Sequence, residues 1–179
     1  MPPLAWRRLS ATVIADVRDL QRVLAAAPAY TLLVEGRLPA PAAADELLAA
    51  LPPGKSHVDK FVLGFYDDRG AIGCADVIRG YPTPQVAHVG LLVFAESEQG
   101  KSHGVAALRH IEDLAKSWAC TALRIAVIET NPRALKFWRR EGFTELYRKP
   151  AAGFTGQAIV LERAIGDPGP ASLRLAAER

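Results

Sequence analysis

Between residues 89 and 94 every position is apolar: Val89, Leu91 and Val93 alternate with Gly90, Leu92 and Phe94, and neither set is polar. A strand of this kind is covered on both faces, so it lies inside a sheet rather than at its rim. It runs into a polar loop at residues 95–103 that holds two glutamates, a glutamine, a lysine and Gly100, and Gly104 marks a place where the backbone comes close to a ligand. Beyond it Leu108, Ile111, Leu114, Ala115 and Trp118 recur at helical spacing, with Arg109, Glu112, Asp113 and Lys116 on the other side, which predicts one helix of about four turns. The first amides of a helix lack intrahelical partners and sit at the positive end of its dipole. The expected ligand therefore carries a phosphate tail.

Downstream, Leu123, Ile125 and Val127 alternate with Arg124, Ala126 and Ile128 as a second strand. Strand, helix and strand in this order form a right-handed crossover with parallel pairing. Asn131 followed by Pro132 starts a helix that runs through Ala134, Leu135, Phe137 and Trp138 and ends at Gly142, before Phe143. Upstream, residues 61–66 and 72–78 flank Asp67, Asp68, Arg69 and Gly70 as a hairpin, and a turn at residues 80–84 leads into the strand at 86–94, making an antiparallel meander. The first sixty residues predict a short strand at 4–9 and a helix capped by Ser10 or Thr12 with the stripe Ile14, Val17, Leu20, Val23 and Leu24. A short helix or irregular turn at 30–34 and a helix at 42–51 follow. After Phe143, strands near 145–147 and 158–165 flank a loop at 151–156. Residues 1–165 read as one domain, and 166–179, rich in proline and glycine at the start, as a flexible tail.

With half of its 179 residues hydrophobic, the chain can bury the core of one domain. The net charge of +3 comes from bases scattered among acids, without a basic block, which argues against nucleic acid and mildly favours anionic ligands. Cys74 and Cys120 each lie in an apolar stretch, as buried thiols of a reducing compartment do, and no Cys/His cluster has metal-ligand spacing. No signal-like apolar core and no run of eighteen apolar residues is present, so the expectation is a cytoplasmic protein without a membrane segment, a monomer or homodimer.

Two segments match a loose nucleotide P-loop, residues 49–56 and 95–102. The first passes through two prolines after a helix, the wrong context. The second has the right context, but Glu96 and Glu98 would repel a triphosphate, and a meander rather than a series of crossovers precedes it.

Two blocks carry a different reading: Gln99, Gly100, Lys101, Ser102, His103 and Gly104 in the loop, and Asn131, Ala134, Phe137, Trp138, Gly142 and Phe143 after the second strand. In sequence and separation they resemble the GCN5-related N-acetyltransferase (GNAT) superfamily, most closely over residues 60–147. The resemblance implies an α/β fold with a mixed, mostly antiparallel sheet of six or seven strands flanked by helices, its fourth and fifth strands splayed. It implies acetyl-CoA as cofactor, with the diphosphate on Gln99 to Gly104, the pantetheine along the backbone of Leu92 and Val93, and Asn131, Ala134, Phe137 and Trp138 beside the arm and thioester. It further implies direct transfer to a primary amine, with a backbone amide near Val93 stabilising the oxyanion.

Two positions depart from the family pattern. Ser102 stands where glycine is usual and fits only with a negative φ or an adjusted loop. Trp138 stands where the family often has the tyrosine that protonates the leaving thiolate, and an indole N–H has no useful acidity. Tyr147 is one substitute, with a strand-end core role as its alternative. For the base, Asp76 shares strand parity with Ile72, Cys74 and Ile78, and Glu129 and His88 are rivals. Tyr30, Glu35, Arg37 and Tyr81 are expected to contact the acceptor, a small molecule or peptide amine. The readings from other classes are a non-catalytic acyl-CoA-binding or regulatory module and a nucleotide-binding protein.

Overall fold

The computed structural model describes residues 4–166, so the tail expected from residue 166 lies outside them after its first residue. The chain runs β1 (Ala5–Arg8), α1 (Ile14–Ala25), α2 (Pro28–Glu35), α3 (Ala43–Ala49), β2 (Lys60–Asp67), β3 (Gly70–Ile78), β4 (Val86–Phe94), α4 (His103–Ser117), β5 (Ala122–Ile128), α5 (Pro132–Arg140), β6 (Thr144–Lys149) and β7 (Ala158–Ala164). The strands form one sheet in the order β1-β2-β3-β4-β5-β7-β6. All neighbours are antiparallel except β4 and β5.

The two faces of the sheet are covered by different helices. On one face Leu63, Phe65, Val77, Val89, Leu123, Ile125, Ile159 and Leu161 pack with Ala107, Leu108 and Ile111 of α4 and Trp138 of α5. On the other, Val62, Cys74 and Val93 pack with Leu20 and Val23 of α1 and Ala44 and Leu48 of α3. The double apolar parity of β4 thus reflects helices on both sides. Both cysteines are free and buried.

Two bulges change which side chains share a face. Phe65 pairs with Gly73 and Tyr66 with Ala71, so Ile72 is the extra residue. It joins the α4 side, while Cys74 and Asp76 face α1; the parity that groups Ile72 with Asp76 is broken at this bulge. In β4, Asp76 pairs with Leu91 and Val77 with Val89, so Gly90 is left over. Just there the sheet opens. β4 and β5 pair only from Val86–Ala122 to Val89–Ile125, and beyond this seam the two strands run on without bonding each other.

The start of α1 differs from the expected cap. Val13 occupies the cap position without a side-chain bond, and Ser10 and Thr12 bond each other. Buried Asp16 instead accepts the Ser10 amide and the Arg7 guanidinium, pinning the strand-to-helix turn. Among the described residues no helix is long and apolar enough to cross a membrane.

Candidate active site

The loop between β4 and α4 leaves its amides free. Gln99 N donates to Glu96 O and Ala106 N to Ser102 O, but the intervening amides of Gly100 to Val105 have no acceptor among the described residues. A Cβ on Gly100 would meet nothing within 4 Å, so the loop faces open space. The loop fits a diphosphate on these counts. Gly104 also has a packing reason: a Cβ there would lie 3.3 Å from the Phe137 ring, so the glycine lets the start of α4 pack on α5.

Ser102 adopts φ 65°, the left-handed conformation that favours glycine, rather than a negative φ. Its side chain caps nothing. Left-handed backbone costs a non-glycine residue about 1–2 kcal/mol, part of which glycine returns through its freer unfolded chain. Ser102→Gly is expected to stabilise the fold by about 0.5–1 kcal/mol, read as a higher urea midpoint at constant slope. A lower midpoint would mean that the serine is held by contacts absent here.

The two loop glutamates do not oppose an anion as their charge suggests. Glu96 turns away and accepts the Ala29 amide at the start of α2. Glu98 is buried and ringed by Lys101, Arg69 and His103 at 3.1, 2.9 and 3.6 Å; Lys101 and Arg69 hold its carboxyl below the usual range. Lys101 is thus engaged within the loop rather than in the groove, and His103 stacks on Phe94. Gln99 donates to Phe94 O and accepts from Arg133.

Across from the loop, Asn131 caps α5 by accepting the Ala134 amide at 3.0 Å. This orients Ala134, Phe137 and Trp138 toward a groove of about 590 Å³, also lined by Leu92, Val93, Phe94, Gln99, Gly100, Ser102, His103 and Gly104. Trp138 is edge-packed between Phe137 and Phe143. Arg133, Lys136 and Arg140 give the groove a basic rim that the motif reading missed. Their spacing of three and four residues along one helix face was the available signal.

A second cavity, about 340 Å³, opens under α1–α3 and is mostly apolar, with Glu35, Arg37 and Glu46 as its charged members. Glu35 and Arg37 form a 2.7 Å ion pair. Tyr30 and Val93 line this cavity and the groove alike. Tyr81 lines neither; its ring stands edge-on to His88.

The three base candidates have different surroundings. Asp76 is buried, both carboxylate oxygens accept from Lys60 Nζ at 2.8 and 2.9 Å, and Lys60 is buried as well. Burial pushes the Asp76 carboxyl up while Lys60 pulls it back. A Cβ on Gly90 would lie 3.2 Å from Asp76 Oδ2, so this cavity-lining glycine brings the carboxylate to the cavity's edge. Glu129 accepts the Gln157 amide at 2.9 Å and lies outside both cavities. Tyr147 is also outside them, half exposed on β6 and therefore not a core residue.

His88 has a buried Nδ1 without a partner, and burial, helped by the charges of Lys149 and Arg124, lowers its pKa from 6.5 to about 4. A histidine with a depressed folded pKa stabilises fully above its unfolded value and loses that contribution as pH falls toward the folded one. A loss of about 2 kcal/mol is expected between pH 6.5 and 4, reduced because the ring keeps some solvent contact. Asp76, whose carboxyl is raised, works in the opposite direction, so wild type must be compared with His88→Gln. Urea melts should show the acid loss shrinking in the variant; parallel pH curves would exclude His88 as its source.

A family model described as "Acetyltransferase (GNAT) family" matches residues 28–143. No curated protein matches by sequence. Among solved structures, an acetyltransferase from Thermus thermophilus is 23% identical with TM-score 0.73, covering 92% of this chain and 99% of that one. An aminoglycoside 6'-N-acetyltransferase complexed with coenzyme A is 13% identical, with TM-score 0.68 and coverage of 91% and 98%. A GNAT family acetyltransferase from Elizabethkingia anophelis with acetyl-CoA bound is 14% identical, with TM-score 0.62 and coverage of 92% and 99%. These likenesses are of fold, and the fold they share is the sheet with its parallel, splayed β4–β5 pair. With the family model spanning both motif blocks, the chain belongs to the GNAT acetyltransferase family.

Proposed function

We propose that this chain moves an acetyl group from acetyl-CoA to a primary amine by direct attack in a ternary complex. The observation that carries the reading is that the two cavities share Tyr30 and Val93, at the end of β4 that has parted from β5. Acetyl-CoA supplies an acyl carbon activated by a sulfur leaving group. The free amides of Gly100 to Val105 and the basic rim on α5 are suited to its phosphates, and the gap-facing backbone of Leu92 to its arm. The Val93 N–H, two residues before the Ala95 amide that donates to Ile72 O, lies on the β3 side of β4 facing Cys74. The proposed donor to the carbonyl oxygen is instead the neighbouring Leu92 N–H, which alternates toward the gap. The largely apolar second cavity, with Glu35 and Glu46, suits an amine with an apolar flank.

Asp76 is the proposed base: it receives the amine's proton at the edge of the Gly90 bulge, with Lys60 fixing its orientation. Removing a general base typically costs a factor of about 100 or more. Asp76→Asn is expected to lower kcat at least about 100-fold while leaving acetyl-CoA affinity within twofold; unchanged kcat would transfer the role to solvent.

The cofactor reading is tested by melting the protein with acetyl-CoA, CoA and Mg-ATP side by side, since a ligand of the folded state alone raises the midpoint; at 100 times Kd it adds about 2.7 kcal/mol. A shift with both CoA species and none with Mg-ATP supports it, and a shift with Mg-ATP alone overturns it. CoA release is then measured over an amine panel. Trp138 favours one other reading, an acyl-CoA-binding module, for which CoA would bind saturably without turnover with any amine.

A further inference from the structure

Tyr30 occupies an unusual place. Its ring packs both against the cluster that contains Val93 of β4 and against the cluster that contains Ile128 of β5, so it bridges the two strands where they no longer bond each other. It is one of the two residues common to both cavities, and the other, Val93, has no side-chain hydrogen to donate. The Tyr30 hydroxyl makes no hydrogen bond to any described residue and keeps some solvent contact, on a side chain that lines both cavities. A buried tyrosine normally finds a partner for its hydroxyl. An open hydroxyl at a junction of two ligand cavities is a site for a ligand atom.

We infer that Tyr30 donates its hydroxyl hydrogen bond to the departing sulfur of the acyl donor, a role that rests on the acetyl-transfer reading above. In the transfer the amine nitrogen bonds to the acyl carbon, the carbon–sulfur bond breaks with its electron pair leaving on sulfur, and the amine's proton passes to Asp76. Tyr30 keeps its proton. Burial raises its pKa from 10.0 to about 12, well above the roughly 8.5 of a free thiol, so it acts as a fixed donor to the thiolate and solvent later supplies the sulfur's proton. Trp138, which lines the groove only, is the competing donor.

The test reads the ionisation of the CoA thiol and needs no acceptor amine. A donor to the thiolate lowers the thiol pKa on binding. In the wild-type chain, CoA affinity measured by calorimetry is therefore expected to rise between pH 7 and 9, while S-methyl-CoA, whose sulfur cannot ionise, stays flat. Thiolate absorbance of bound CoA should titrate about one pH unit higher in Tyr30→Phe than in wild type, a tenfold loss of thiolate below the midpoint, with melting temperature within a few degrees and S-methyl-CoA affinity within twofold. Trp138→Phe should leave the midpoint in place. Flat CoA affinity in wild type, equal midpoints in wild type and Tyr30→Phe, or a shift confined to Trp138→Phe each overturn the assignment. Failure of wild type to bind either CoA species removes the acetyl-transfer reading itself, a result distinct from binding without a pH-dependent difference.

Discussion

Lys60→Met is expected to lose about 3–5 kcal/mol of stability at pH 7, the largest effect of any single change considered. The reason is the carboxylate left behind rather than the ammonium removed. Asp76 is buried and has Lys60 as its hydrogen-bonding partner at both oxygens; without it, burial alone acts and raises the carboxyl further. A carboxyl raised above its unfolded value contributes its stability below that value and loses it as pH rises through the folded one. The deficit should therefore shrink as pH is lowered from 7 toward 4. Removing both charges with Lys60→Met and Asp76→Leu should recover most of the loss, because two apolar side chains of similar volume need no desolvated charge. Urea unfolding at several pH values decides the matter, and a pH-independent deficit would mean that lost packing of the lysine stem outweighs the electrostatics.

Gly73→Ala should cost about 3 kcal/mol, at the upper end for overpacking. A Cβ there would stand 2.3 and 2.4 Å from two atoms of the Phe94 ring, closer than any real contact. The ring has little freedom to yield, since Phe94 is buried, with Phe65 on one side and His103 on the other at centroid separations of 5.6 Å each. Because Phe94 lines the groove and His103 opens α4, the displacement should also weaken CoA binding, by an expected factor of about 10. Calorimetry and denaturant melts on the same variant test both halves. A stable variant with unchanged CoA affinity would show that the ring rotates out freely.

The elements around the groove are legible in the sequence because local rules and tertiary packing agree there. The double apolar parity of β4, the stripe of α4 and the Asn131–Pro132 start of α5 each have a local cause and appear where expected. Elsewhere the deciding partner is far along the chain. The turn into α1 is secured by Asp16 bonding back to Ser10 and Arg7, and no local pattern distinguishes this from a serine or threonine cap. Bulges at Ile72 and Gly90 shift parity without a signature, which is why Asp76 loses one of its expected face-mates. β6 reaches beyond residues 145–147 because it is an exposed edge strand, where no buried face imposes alternation. The Lys60–Asp76 pair joins residues of two neighbouring strands, and pairing register must be known before either reads as compensated. Ser102 carries no hint of its positive φ; only the family pattern, with glycine at that place, points to it.

The opening between β4 and β5 also divides the sheet mechanically. Strands β1 to β4 form one half and β5, β7 and β6 the other, and the halves are stitched by four residue pairs at one end. Each inner edge beyond the seam has satisfied its other side, with Phe94 still paired to Gly73 and Ile128 to Ala158. The gap can therefore widen or narrow like a pair of tongs without breaking a ladder, and an extended molecule lodged in it becomes the missing rung. Amide hydrogen exchange along residues 90–94 should then slow on loading, in the middle of the sheet, where an unbroken sheet would already be at its most protected.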